Sequence, residues 1–112
     1  MSTRLPGAKY KNVFDRGRSI KGRLLVAWRL VQHDADRKAG VVVSKKTFHD
    51  AVDRNRAKRL MREAYRLLVK EDAAPEGVEW VFIARRSILG RKCVDVMEEM
   101  KWVFSRNVPQ KS

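Results

Sequence analysis

Cysteine is nearly absent from this chain: Cys93 is the only one in 112 residues. A lone thiol forms no internal disulfide, so no disulfide framework holds the fold, and a reducing compartment suits it. Histidine is almost as scarce. His33 and His49, even with Cys93, fall short of a structural zinc set. Long apolar runs are missing too. Nothing approaches the roughly 18–20 unbroken apolar residues of a spanning helix, and the opening MSTRLPGAKY has no apolar core of a secretory signal. The expected location is cytoplasmic, with no membrane partner. No G-x-G-x-x-G or P-loop pattern occurs. Ser44, Ser87, His33 and His49 have no spacing that suggests a triad. Asp15, Asp34 and Asp36 read as solvated turn acids rather than metal ligands. No catalytic residue and no metal ligand is therefore assigned.

Acidic charge is the last shortage, and it turns the reading toward what is present. Thirteen Asp and Glu stand against 26 Lys and Arg, a formal net charge of +13. A small domain this basic meets the first requirement of a nucleic-acid binder; an anionic membrane surface is the competing polyanion. Apolar residues make up 44% of the chain, enough for one modest core. Residues 1–112 are read as a single domain, with 1–8 and 107–112 as flexible tails.

There is no internal repeat or long low-complexity tract. Residues 9–16, KYKNVFDR, put Tyr10, Val13 and Phe14 on one face, which predicts a short helix stopping at Gly17. Residues 18–31, RSIKGRLLVAWRLV, predict strand interrupted at Gly22. Leu24, Val26, Trp28 and Leu30 then point one way, and Leu25, Ala27, Arg29 and Val31 the other. Both sets are mostly apolar, so coverage on both faces is expected. HDADRKAG, 33–40, reads as a polar turn, and the β-branched run at 41–43 as a short strand. Asp50 is placed to cap a helix reaching about Lys70. Its apolar stripe is Ala57, Leu60, Met61, Ala64 and Leu68. EDAAPEG, 71–77, reads as a loop and EWVFIA, 79–84, as a continuous apolar strand. RRSILGR, 85–91, leads into a final helix with Cys93, Met97, Met100 and Phe104 inward and Pro109 marking the tail. The order is α-β-β-β-α-β-α, of the α+β class: an α/β sandwich on a small central sheet.

The most charged element is RNRAKRLMREAYR, 54–66. Arg54, Asn55, Arg56, Lys58, Arg59, Arg62 and Arg66 fill the arc opposite the apolar stripe. Asp50 and Asp53 sit near the N-terminal end, where the helix dipole favours acids. Glu63 has Arg59 and Arg66 at helical spacing and compensates part of the charge. A solubilising face is the bland reading, but such a face mixes signs, and this arc is almost all positive. Arginine dominates it, and its planar fork suits phosphate oxygens and base edges. Lys45 and Lys46 lie just upstream and extend the patch.

The stretch VVVSKKTFHDAVDRNRAKRLMREAYR, 41–66, closely resembles the protein component of bacterial ribonuclease P. The similarity rests on Ser44-Lys45-Lys46, Ala51-Val52, Arg54-Asn55-Arg56-Ala57-Lys58-Arg59 and Arg62-Glu63. It extends to Arg4-Leu5, the Phe14 to Gly17 stretch, Gly40 and Ile83-Ala84-Arg85, and so covers essentially the whole chain. His49 and Asp50 depart from the Gly and Asn frequent in the family, and Asp53 sets a carboxylate close to the basic helix.

That resemblance implies an RNA-binding domain with a fold like the second domain of ribosomal protein S5, including an unusual left-handed β-α-β crossover. It implies two partners, the catalytic RNA of ribonuclease P and precursor tRNA, and no obligate protein partner. The RNA subunit removes the 5′ leader using Mg²⁺, with no ligand set on the protein, and the protein alone is expected to be inactive. Lys45, Lys46, Arg54, Asn55, Arg56, Lys58, Arg59 and Arg62 are expected to contact the RNA subunit, with Arg66 and Arg85 as weaker members. Tyr10, Phe14 and Trp28 are expected to line a cleft for the single-stranded leader, although aromatics at such spacing are as readily core. The alternative is a general RNA-binding or ribosomal protein of similar fold with no role in cleavage.

Overall fold

The helical periodicity of residues 51–70 is realised as one long helix, and much of the architecture follows from where it is laid. The computed structural model describes residues 3–106. In chain order the elements are α1 (Tyr10–Arg16), β1 (Arg18–Lys21), β2 (Leu25–Val31), β3 (Lys38–Val42), α2 (Ala51–Lys70), β4 (Val78–Ala84) and α3 (Cys93–Arg106). Short 3₁₀ turns at Gly7–Lys9 and Arg86–Ile88 lead into α1 and follow β4. The order is the one expected, including the break of the first strand at Gly22.

The four strands form one mixed sheet, ordered β1-β2-β4-β3. β1–β2 and β2–β4 are antiparallel; β3–β4 is parallel. The parallel pair is joined through α2. This is the unit for which the resemblance implies a left-handed path. α2 and α3 cover one face of the sheet over a core of Leu25, Ala27, Val41, Phe82 and Trp80 from the strands and Ala57, Met61, Ala64, Tyr65, Leu68, Val96 and Met100 from the helices. α1 covers the other face, where Val13 packs with Leu5, Leu30 and Val81. β2 is thus covered on both sides as expected, except at Val31, which is half exposed.

α2 begins where Asp50 accepts a hydrogen bond from the Val52 N–H at 3.2 Å. It ends in a left-handed residue, Asp72 at φ 59°, with the Ala73 N–H returning to the Leu68 carbonyl at 2.8 Å. A non-glycine residue at that position is held from outside: Arg37 ion-pairs with Asp72 and Glu76.

Four expectations are corrected. Residues 3–8 are not a loose tail: Leu5 donates to the Ala39 carbonyl at 3.0 Å, and Ala39 donates to the Thr3 carbonyl at 2.8 Å. Leu5 is buried, and that burial outweighs the freedom lost. β3 starts at Lys38, not Val41, because pairing to β4 overrides the turn-like composition of Lys38-Ala39-Gly40. The fully buried stripe of α3 is Val96, Met100 and Val103; Cys93, Met97 and Phe104 flank it, half-buried. Tyr65 joins the buried stripe of α2, while Leu60 stays at its margin. Residues 107–112, with Pro109, lie outside the described residues.

Candidate nucleic-acid interface

The basic arc of α2 is presented as the periodicity requires. Asn55, Arg56, Arg59 and Arg66 are exposed, and Arg54, Lys58 and Arg62 half-buried. Opposite them Ala57, Met61, Ala64 and Leu68 are buried. The arc borders the N-terminal segment, and together they line an open groove of about 550 Å³ that includes Arg4, Asn55, Lys58, Arg59, Arg62 and Arg66.

Not every cation in the arc is free. The Arg54 Nη1 donates to the carbonyls of Phe48 and His49 at 2.8 and 3.0 Å, so this side chain clamps the loop entering its own helix. Arg66 grips Glu63 through Nε at 3.1 Å and Nη2 at 2.6 Å. That two-pronged contact pulls the Glu63 carboxyl below the usual carboxylate range and raises Arg66 further. Arg56, Lys58, Arg59 and Arg62 have no acid or hydrogen-bond partner among the described residues, nor does the Asn55 amide.

Lys45 and Lys46 are exposed on a tight turn between β3 and α2. The Ser44 hydroxyl accepts from the Thr47 N–H and donates to the Thr47 hydroxyl, each at 3.0 Å. Phe48, 1% exposed, anchors the turn from beneath. Arg86, which sequence reasoning passed over, donates to the Thr47 carbonyl at 3.0 Å and ties the turn to the β4–α3 connection. Only tertiary contact reveals that role, since Arg86 carries no pattern of its own. Arg85, its exposed neighbour, lies away from the α2 groove, beside Lys21, Arg23 and Trp102.

The three aromatics come together on the α1 face of the sheet, all half-buried against Leu5, Val13, Leu30 and Val81. Phe14 and Trp28 meet edge to face, centroids 5.5 Å apart at 88°. Tyr10 is held differently. Its hydroxyl accepts from the Val41 N–H at 3.1 Å, so it caps the outer edge of β3. Beside it Glu79, 5% exposed, pairs with Lys9 at 3.3 Å across the same face.

A small mixed sheet carries a one-sided basic helix on one face and three half-buried aromatics on the other, the layout of an RNA-binding domain. The chain matches the Ribonuclease P family over residues 5–108. It is 39% identical over 97 residues to the ribonuclease P protein component of Pelotomaculum thermopropionicum, covering 87% of this chain and 84% of that one. Against the same component from an Exiguobacterium species it is 40% identical over 98 residues, covering 88% and 82%. The RNase P protein from Thermotoga maritima superposes with TM-score 0.77 at 24% identity, covering 92% of this chain and 96% of that one. That from Staphylococcus aureus gives 0.74 at 22%, covering 96% and 97%; these two likenesses carry the fold. The chain belongs to the ribonuclease P protein family, the protein component of a ribonucleoprotein enzyme that acts on precursor tRNA.

The family's reaction depends on Mg²⁺. Among the described residues no group of three His, Cys, Asp or Glu is placed to hold a metal ion.

Proposed function

We propose that the outer face of α2, with the Lys45-Lys46 turn, docks the chain on the RNA subunit of ribonuclease P, and that the α1 cleft receives the 5′ leader of precursor tRNA. The observation that carries this is the set of unpartnered side chains on one arc: Arg56, Lys58, Arg59, Arg62 and the Asn55 amide. Each cation that meets a phosphate releases condensed counterions, which gives affinity without sequence preference. Asn55, neutral and unpaired, is the member able to read a ribose hydroxyl or base edge. Lys45 and Lys46 extend the footprint, Arg66 joins it when a phosphate competes with Glu63, and Arg54 acts mainly by shaping the loop beside it.

Leaders differ in sequence, so ring faces and charge suit them better than base-edge hydrogen bonds. Phe14 and Trp28 supply the faces, and Tyr10 walls the cleft. Hydrolysis is assigned to the RNA subunit and its Mg²⁺, in the cytoplasm; the protein positions and neutralises.

Reconstitution with the cognate RNA subunit tests this. The protein should lower the Mg²⁺ and salt needed for leader removal, and should cleave nothing alone. Unchanged cleavage at low Mg²⁺ on adding the protein overturns the reading.

A further inference from the structure

The β1–β2 turn is held more firmly than a surface turn requires. Leu24 and Leu25 donate their N–H groups to one Glu99 oxygen at 2.7 and 3.0 Å. The Leu24 carbonyl accepts from the Arg85 N–H at 2.9 Å, and the Arg23 carbonyl from the Ser87 hydroxyl at 2.6 Å. A Cβ at Gly22 would stand 2.3 Å from the Glu99 carboxylate, so the close seat of that carboxylate depends on glycine. These bonds hold the backbone at Arg23 and Arg85, and with Lys21 the two arginines line one wall of a groove of about 610 Å³. The opposite wall is α3, where Trp102 is 46% exposed. The Arg106 guanidinium lies 5.5 Å from the Trp102 ring centroid.

Three carboxylates line the same groove, and two are committed: Glu99 to the turn, and Asp95 to the Lys92 N–H at 3.0 Å. Glu98 is exposed, has no partner among the described residues, and stands one helical turn before Trp102, on the same side of α3. The groove therefore has a cationic wall, an aromatic ring and one free carboxylate beside that ring. These are the parts that hold a nucleotide: phosphate at the cations, base on the ring, base N–H at the carboxylate.

We propose that this groove binds one unpaired nucleotide of RNA, with the base stacked on Trp102, its amine donated to Glu98, and the phosphate held by Lys21, Arg23 and Arg85. The subsite is separate from the α2 arc and from the α1 cleft, and shares with the proposed function only the class of ligand. Cytosine and guanine offer amine donors to a carboxylate. Uracil turns two carbonyl oxygens toward it with only one N–H between them. The subsite therefore favours cytosine or guanine over uracil.

Trp102 supplies its own signal. In a Trp28→Phe chain it is the exposed indole, because Trp80 is buried. Its fluorescence is titrated with cytidine and uridine hexamers. The cytidine hexamer should quench it and bind several-fold more tightly than the uridine hexamer. Glu98→Gln should erase that preference, and Arg23→Ala should weaken both hexamers alike. Trp102→Leu, followed by competition with a labelled hexamer, should cost about tenfold; far-UV circular dichroism checks that each variant folds. Equal affinity for the two hexamers, or a preference that survives Glu98→Gln, overturns the proposal.

Acrylamide quenching then identifies the source of the nucleotide. Shielding of Trp102 on adding the RNA subunit assigns it to that RNA, and shielding only on adding leader-bearing precursor assigns it to the substrate. No shielding in a complex that binds both RNAs overturns the subsite while leaving the proposed function standing.

Discussion

Tyr10 of α1 and Val41 of β3 are joined by a hydrogen bond in which the Val41 N–H donates to the Tyr10 hydroxyl at 3.1 Å. The tyrosine ring occupies the space that a side chain on Gly40 would need, since a Cβ there would fall within 2.3 Å of it. Gly40 is thus fixed by close approach rather than by backbone angle. Gly40→Ala should displace the ring and destabilise the fold by about 1–3 kcal/mol. Tyr10→Phe keeps the ring and loses only the cap, leaving the Val41 N–H unpaired at a cost of about 1–3 kcal/mol. Urea unfolding measures both. In leader-binding assays Gly40→Ala should also weaken discrimination, because it moves α1, whereas Tyr10→Phe should leave discrimination nearly intact.

Arg54 and Arg59 look alike in sequence but are used differently. Arg54 holds the Phe48 and His49 carbonyls, and Arg59 has no partner among the described residues. Arg54→Ala should cost about 1–2 kcal/mol of folding stability from the lost charged hydrogen bonds. Arg59→Ala should leave unfolding unchanged but shallow the salt dependence of RNA binding by about one phosphate contact. Thermal melts set beside salt titrations separate the two effects; equal melting temperatures would remove the clamp assigned to Arg54.

Glu63 holds Arg66 in a two-pronged pair that a phosphate of the proposed RNA footprint would have to open. Its carboxyl is held below the usual range chiefly by the Arg66 hydrogen bond, so it stays ionised at neutral pH and further into acid than a free carboxylate. The sign follows: the pair's contribution is present above the unfolded carboxylate pKa and disappears as pH falls through the lowered folded value. Glu63→Gln should therefore raise affinity for the RNA subunit about twofold or more at low salt and steepen the salt slope by about one contact. From about pH 6 to pH 8 the wild-type affinity should show no titration from this pair. A variant that binds more weakly would mean that Glu63 orders Arg66 for its phosphate.

The helices and inner strands were legible because their signals are local. Asp50, the stripe from Ala57 to Leu68, and the apolar run of β4 each announce an element within one or two turns of chain. Pairings between distant segments were not. Residues 3–5 carry no period of their own and lie along β3 only because Leu5 is buried beside Val13 and Leu30. Lys38-Ala39-Gly40 reads as turn, yet it becomes strand because β4 supplies its hydrogen bonds and Tyr10 needs the bare Gly40. The basic arc could be read from spacing alone. Which cations are already occupied could not, because the carbonyls that take Arg54 and Arg86 belong to a loop without a regular pattern. That Tyr10, Phe14 and Trp28 share a face was legible in the sequence; that Tyr10 is a cap, and Phe14 and Trp28 a pair, came only with the packing of α1.

Lys9 and Glu79 form an ion pair whose two members differ sharply in exposure: the lysine side chain is 56% exposed and the glutamate 6%. The second Glu79 oxygen is buried without a partner among the described residues. The two halves should therefore fail differently. Lys9→Met removes the cation paired with a buried carboxylate and weakens the compensation of that charge. Glu79→Gln removes the buried charge and returns Lys9 to water, where it is readily solvated. The usual cost of stranding a buried charge, about 3–5 kcal/mol, is reduced here by water reaching the exposed lysine. Lys9→Met should still cost at least about 1 kcal/mol more than Glu79→Gln. The double variant should lie near Glu79→Gln alone, since the lysine has nothing left to compensate. Urea unfolding of the three variants forms the double-mutant cycle. Because Lys9 leads directly into α1, Lys9→Met should also lower the preference for leader-bearing precursor over mature tRNA. Additive losses across the cycle would show that Glu79 is stabilised by the sheet alone and that the pair does not hold α1 in place.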